Sequence, residues 1–394
     1  MIKISGKNKN IVILGSTILI ALLVVLGAAS YNIYQDKVKE ERKQEYSFIF
    51  EGSKDPLSDR GTGSFQSKID KKLKDDFDSN HYSLEKAKVV VNPYEISPLT
   101  ALIMFETDKE TAVTLTITGL HNDDIVKTFT KTKKHFVPVY GLYANKETKV
   151  TIKLDNGKTN SFLIKGGEVP KTAKEMTVLD NKVKLNNEMY LFTSPTGVPN
   201  IAYDNYGNVR WYLNMGYSKG VTVLRNGNLL LSNEKMGQDP TSNGGAVEVN
   251  LLGKVYNEYE IKGGYHHDAI ELPSDNLLIP TTNIESGRTS DFIVEIDRKT
   301  GKEVNSFDLF DMINKIDPEY AKTLSSVWAW NNSVFYNKNT NELLVSLRNR
   351  NAIISIDYTK KTINWILSDP KNFSNKFESY LLKPTGKDFI YPFG

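Results

Sequence analysis

Four stretches in the second half of the chain repeat one degenerate pattern: a short alternating run, an Asp or Asn, a tight turn, and a second alternating run. Ala202-Tyr203-Asp204-Asn205-Tyr206-Gly207-Asn208-Val209-Arg210-Trp211-Tyr212 is echoed by Val247 to Tyr256, by Val294 to Val304 and by Ile354 to Trp365. The Asp or Asn falls at 204, 250, 297 and 357, intervals of 46, 47 and 60 residues, the last swollen by a helix-like insert from Phe307 to Ala321. Each unit also holds a second hairpin, such as Val223 to Leu231 around Asn226-Gly227 and Ile270 to Ile279 around Ser274-Asp275. Two hairpins per period give four strands, and a period of about 45 residues built this way is a β-propeller blade. Propellers close with about four to eight blades. The four units run up to Ile390-Tyr391-Pro392-Phe393-Gly394 in what reads as mid-strand, so residues 175–394 are expected to form an incomplete wheel.

Ahead of it, residues 88–167 alternate in short strands without helical period: Val89 to Val91, Ala101 to Thr107, Val113 to Ile117 and Lys149 to Leu154, the last followed by the turn Asp155-Asn156-Gly157-Lys158. Such spacing predicts a small β-sandwich of immunoglobulin or fibronectin type. The expected fold is therefore all-β, a sandwich followed by a propeller. Gly166-Gly167-Glu168-Val169-Pro170 links the two.

Residues 31–87 are rich in Lys, Glu, Asp and Ser and are expected as a charged juxtamembrane helix and spacer. Before them, Lys3, Lys7 and Lys9 precede 19 uncharged residues from Ile11 to Ala29, long enough to cross a bilayer core. A single transmembrane helix within residues 1–30 is expected, with the basic end in the cytoplasm and the body outside it. Ala28-Ala29-Ser30 resembles a cleavage site, and cleavage there makes the body secreted.

Composition restricts the chemistry. With 50 basic and 47 acidic residues there is no concentrated basic character to recruit nucleic acid. The absence of cysteine removes thiol nucleophiles, disulfides and thiolate-bound zinc, and no metal or other cofactor is expected. Of five histidines, His266 and His267 are adjacent in Gly-Gly-Tyr-His-His-Asp, just before the second hairpin of their unit. Strand alternation is expected to send them to opposite faces. Trp328-Ala329-Trp330-Asn331-Asn332-Ser333 precedes the equivalent hairpin one unit later, and Ser346-Leu347-Arg348-Asn349-Arg350 follows it. By the same alternation, Trp328 and Trp330 are expected to share one face, as are Arg348 and Arg350. Equivalent placement in successive blades lets these segments converge near the central channel.

Tyr-His-His-Asp followed by Glu-Leu-Pro, Trp-x-x-x-Asn-Ser before a strand, and Ser-x-Arg followed by Asn-Ala-Ile-Ile-Ser-Ile-Asp together resemble the bacterial aryl-sulfate sulfotransferases, over roughly Val89 to Gly394. The resemblance implies a six-bladed propeller and a ping-pong reaction, in which a histidine takes a sulfuryl group from a phenolic sulfate ester and passes it to a phenol. Neutral imidazole is a competent nucleophile near neutral pH, and a fixed guanidinium stabilises the charge on the moving group. It further implies catalytic roles for His267 and Arg348 and substrate contacts for His266 and Asn332. Two departures stand out. Trp330 occupies a position where the family carries histidine, and the family's nucleophilic histidine belongs to a Gln-His pair beyond Tyr391-Pro392-Phe393-Gly394. The chain is accordingly expected to be inactive as a transferase. A non-catalytic, membrane-tethered propeller that binds a ligand or partner is the alternative. A quinone-dependent dehydrogenase is disfavoured, because no calcium-ligand set or regular tryptophan series runs through the blades.

Overall fold

The computed structural model describes residues 62–121, 123–178, 188–193, 200–215, 220–233, 243–386 and 391–392. The chain divides into residues 1–56 and 57–394, and all described residues belong to the second unit. The transmembrane segment expected from Ile11 to Ala29 lies outside the described residues; among the described ones no helix is long and apolar enough to cross a membrane.

The first described element is a helix packed on the strands that follow it. Helix α1 (Gly63–Asn80) is capped by Thr62, whose side chain accepts from Phe65 N. Gln66, Ile69, Leu73 and Phe77 recur at helical spacing and form one packed stripe. Phe77 is buried in a cluster with Tyr94, Leu102, Met104 and Leu252. Gln66 Nε2 donates to Tyr94 O at 2.9 Å, and Lys254 pairs with Asp70 at 2.8 Å.

Strands β1 (Lys88–Val91), β2 (Thr100–Ile117), β3 (Ile125–Tyr140), β4 (Glu147–Leu154) and β5 (Thr159–Lys165) follow. The expected two layers are present as one continuous sheet rather than two. β3 pairs along most of β2, while β1 and β4 share its other edge, pairing with Ala101–Met104 and Val113–Ile117. β2 and β3, 18 and 16 residues long, are long enough to serve both halves, and their register shifts between Glu106 and Val113. Ala101, Ile103 and Phe105 then share a core with Val113, Leu115, Val150 and Ile152 from the other half. Leu102 and Met104 face α1 instead. Burial on both faces explains why this stretch reads as a continuous apolar run rather than an alternation.

The second half forms antiparallel meanders in sequence order, as the repeat predicts. Strands β6 (Tyr190–Phe192), β7 (Asn200–Tyr203) and β8 (Val209–Leu213) form a three-stranded sheet. Three four-stranded sheets follow: β9 (Val221–Val223), β10 (Leu229–Asn233), β11 (Asn243–Val249), β12 (Val255–Tyr265); β13 (Ile270–Glu271), β14 (Leu277–Thr281), β15 (Phe292–Ile296), β16 (Glu303–Asp308); and β17 (Asn331–Asn337), β18 (Glu342–Leu347), β19 (Ala352–Asp357), β20 (Thr362–Leu367). Helices α2 (Leu309–Ile316) and α3 (Pro318–Lys322) fill the insert before β17. They bury Leu309, Met312, Ile313 and Ala321 in a core shared with Trp328, Val345 and Ile354.

The repeated Asp or Asn has one job in all four sheets. It opens the turn before the last strand, where its Oδ1 accepts backbone N–H groups: Tyr206 and Asn208 at Asp204, Leu252 and Lys254 at Asn250, Lys299 and Thr300 at Asp297, Thr359 and Lys360 at Asp357. In a meander, alternate connections lie at opposite ends. The His-His segment after β12, the Trp-Ala-Trp segment before β17 and the Arg348 turn after β18 therefore share the end opposite these turns.

Neighbouring sheets are also pinned. Glu248 on β11 accepts from Asn228 and Asn257 of its own sheet and from Arg298 of the next. Glu295, at the equivalent place on β15, accepts from Asn276 and Asn305 of its own sheet and from the Tyr358 hydroxyl of the next. Between sandwich and meanders, Arg210 is 1% exposed. It donates to Gly141 O at 2.9 Å, pairs with Asp204 at 3.2 Å and Asp123 at 3.5 Å, and lies 4.0 Å from the Tyr143 ring centroid.

Candidate functional site

The His-His-Asp segment is clamped to the first strands of two other sheets. Asp268 Oδ2 accepts from Val334 N on β17 at 3.0 Å, and Thr222 on β9 donates to Ala269 O at 2.7 Å. His266 N donates to Pro280 O on β14 at 3.1 Å. Gly220 passes so close that a Cβ there would stand 2.4 Å from His267 O, so the approach needs glycine. Asp268 thus ties the segment to β17.

The two histidines do not part to opposite faces. β12 ends at Tyr265 and His267 takes a left-handed φ of +62°, so alternation no longer applies. Their rings meet edge to face with centroids 4.4 Å apart. His266 is buried and His267 is exposed.

The tryptophans also separate, because neither lies on a strand. Trp328 is fully buried and donates from Nε1 to Asp291 Oδ2 at 3.0 Å. Trp330, at a φ of +52°, is half-buried with its ring 5.5 Å from that of His266. The two arginines lie in a 3-10 turn, not a strand. Arg350 fastens the α3 region, with its guanidinium 3.4 Å from Trp328 O and 3.3 Å from the Tyr320 hydroxyl. Arg348 is exposed, its guanidinium carbon 5.8 Å from the centre of the Trp330 ring. Among the described residues it makes no ion pair.

Asn332 is the extra residue of a bulge in β17, between the pairs Asn331–Leu347 and Ser333–Ser346. Its Oδ1 is buried and meets no hydrogen-bond partner among the described residues, and the same holds for Asn331 Oδ1, Ser290 Oγ and Thr281 Oγ1. Ser290 O accepts from Asn331 N, and Asn331 Nδ2 reaches Phe292 O, so three of these residues meet around the start of β17.

The structure therefore gathers His266, His267 and Trp330 at one end of the meanders, with Arg348 above the indole and Asn332 at the adjoining bulge. Asp291 is the polar residue that sequence pattern did not single out. Burial pushes its carboxyl above the usual range, opposed by the Trp328 N–H and reinforced by Asp308. Nothing in Thr289-Ser290-Asp291-Phe292 marks it, since its partner lies 37 residues away. Among the described residues no group of three or more metal-ligating side chains comes together.

Residues 173–394 match the family model described as Arylsulfotransferase (ASST), and residues 88–166 match the Arylsulfotransferase Ig-like domain. A curated relative, the arylsulfate sulfotransferase AssT of Lelliottia amnigena, is 20% identical over a match covering 75% of this chain and 66% of its own length. The chain thus spans just under two-thirds of that relative. Partial structural matches include virginiamycin B lyase from Staphylococcus aureus, at 14% identity over 63% of this chain and 72% of the other, with a TM-score of 0.31. Another is an auxiliary nutrient binding protein from Bacteroides thetaiotaomicron, at 13% identity over 70% and 68%, also with a TM-score of 0.31.

Proposed function

The chain belongs to the arylsulfotransferase family, and from that premise we propose that the end of the meanders carrying His266, His267, Trp330 and Arg348 binds a phenolic sulfate ester. The carrying observation is Arg348: an exposed guanidinium over a half-buried indole, with no anionic partner among the described residues, beside an imidazole pair. Such a guanidinium suits the tetrahedral oxygens of a sulfate. In the family's reaction as we read it, the bond between sulfur and the aryl oxygen breaks, an N–S bond to imidazole forms, and the phenolate leaves and takes up a proton. A phenol acceptor then reverses these steps. Metal is not part of this reading.

The other three histidines are engaged elsewhere. His135 stacks on Phe105 and meets Thr107, His121 lies against Tyr206, and His81 contacts Glu106. In this reading His267, the exposed imidazole of the pair, contacts the sulfate or relays a proton, with His266 behind it and Asn332 as a polar contact. With Trp330 at a position where the family carries histidine, the proposal is that the chain holds the donor without measurable turnover. The sheets are read as part of a six-bladed wheel. The body is placed outside the cytoplasm on a membrane anchor, which rests on Lys3, Lys7 and Lys9 ahead of the uncharged run.

The test is 4-nitrophenyl sulfate with phenol as acceptor. Calorimetric binding of the sulfate with no release of 4-nitrophenol above blank is expected. Turnover that disappears in His267→Ala would overturn the inactivity, and absence of binding would overturn the donor site.

A further inference from the structure

Trp330 has a backbone conformation that a bulky side chain rarely adopts, a φ of +52°. That turn takes its indole out of the core that Trp328 fills two residues earlier and sets it edge-on to His266 and within 5.8 Å of Arg348. The backbone around it is tied down: Arg348 N donates to Trp330 O at 3.2 Å, and Asn331 N donates to Ser290 O at 2.9 Å. Trp330 is only half-buried, so part of the indole stays exposed.

The guanidinium carbon of Arg348 stands 5.8 Å from the indole centre, within the range of a cation–π contact. Aromatic rings pair at centroid separations of about 4.5–7 Å. A flat ring stacked on Trp330 thus brings an anionic group attached to it within reach of Arg348, and one ligand satisfies both side chains. An aliphatic sulfate of similar size offers Arg348 the same anion but gives the indole only a flexible chain.

Resting on the donor-binding reading above, we infer that Trp330 is the residue that selects aromatic over aliphatic sulfate esters. Titration calorimetry with 4-nitrophenyl sulfate and hexyl sulfate tests this on the full chain. The wild-type protein is expected to prefer the aryl ester by about tenfold, the scale of one good aromatic contact. Trp330→Leu and Trp330→Gln abolish the preference by weakening aryl binding while leaving hexyl sulfate within about twofold, and Trp330→Phe retains most of it. An unchanged aryl-to-alkyl ratio in a folded Leu or Gln variant overturns the inference. So does a parallel loss for both esters, which would mean that Trp330 acts only by holding Arg348. If the wild-type protein binds neither ester, the donor site itself fails and takes this inference with it, whereas an unchanged ratio removes the inference alone.

Discussion

Replacing Arg298 by methionine should loosen the second four-stranded sheet from the first. Glu248 is 2% exposed and accepts from Arg298 Nε at 2.9 Å and Nη2 at 2.6 Å, from Asn228 at 2.6 Å and from Tyr259 at 3.2 Å. Removing one partner of a buried ion pair costs about 3–5 kcal/mol. The lower end applies, because Glu248 keeps its amide donors and Glu271, which Arg298 also pairs with at 2.5 Å, keeps Arg225. Burial by itself pushes the Glu248 carboxyl up, but hydrogen bonds from Arg298, Asn228 and Asn226 outweigh it and hold the group at about 2, against an ordinary 4.5. A carboxyl depressed on folding contributes stability that is complete above 4.5 and lost as pH falls toward 2, and this shift corresponds to about 3 kcal/mol. Urea unfolding of wild type, Arg298→Met, Glu248→Gln and the double variant, followed by tryptophan fluorescence, measures both effects. The gap between wild type and Glu248→Gln should narrow by about 2 kcal/mol between pH 7 and pH 3, and the double variant should lose less than the sum of the singles. A gap that stays constant over that range, or an Arg298→Met cost below about 1 kcal/mol, refutes the pinning role.

Arg210→Met should destabilise the chain by about 3 kcal/mol, since it strips Asp204 of its buried cation and Gly141 O of its donor, and limited proteolysis should then separate the sandwich from the meanders more readily. Equal protease resistance of the two proteins counts against that junction. His135 is buried against Phe105, and burial lowers its pKa. A base whose folded pKa is lowered makes the protein lose stability as pH drops through the unfolded value of 6.5. The melting temperature of His135→Phe should therefore fall less than that of wild type between pH 7 and pH 5, and identical slopes refute the assignment.

The blades were legible because their information is local. Asp204, Asn250, Asp297 and Asp357 each cap a turn within their own hairpin, and alternation around them fixes which side chains face inward. α1 was harder to read: its charges dominate the composition, while the stripe Gln66, Ile69, Leu73 and Phe77 signals burial only when read at helical period. The apolar run in β2 likewise announced a strand but not its two covered faces.

At the candidate site, the residues that come together could be named from the sequence but their geometry could not. Sequence alone determined the meander repeat, the five histidines and the presence of Arg348 near a tryptophan pair. Tertiary structure decided that His266 turns inward beside Trp330, that His267 stays exposed next to it, and that Arg350 fastens the α3 region while Arg348 stands exposed over Trp330. The reason is that alternation holds only while the backbone stays extended. At His267 and Trp330 it turns left-handed, and the His-His-Asp segment is held there by contacts distant in sequence, the approach of Gly220 to His267 and the bond from Val334 N to Asp268.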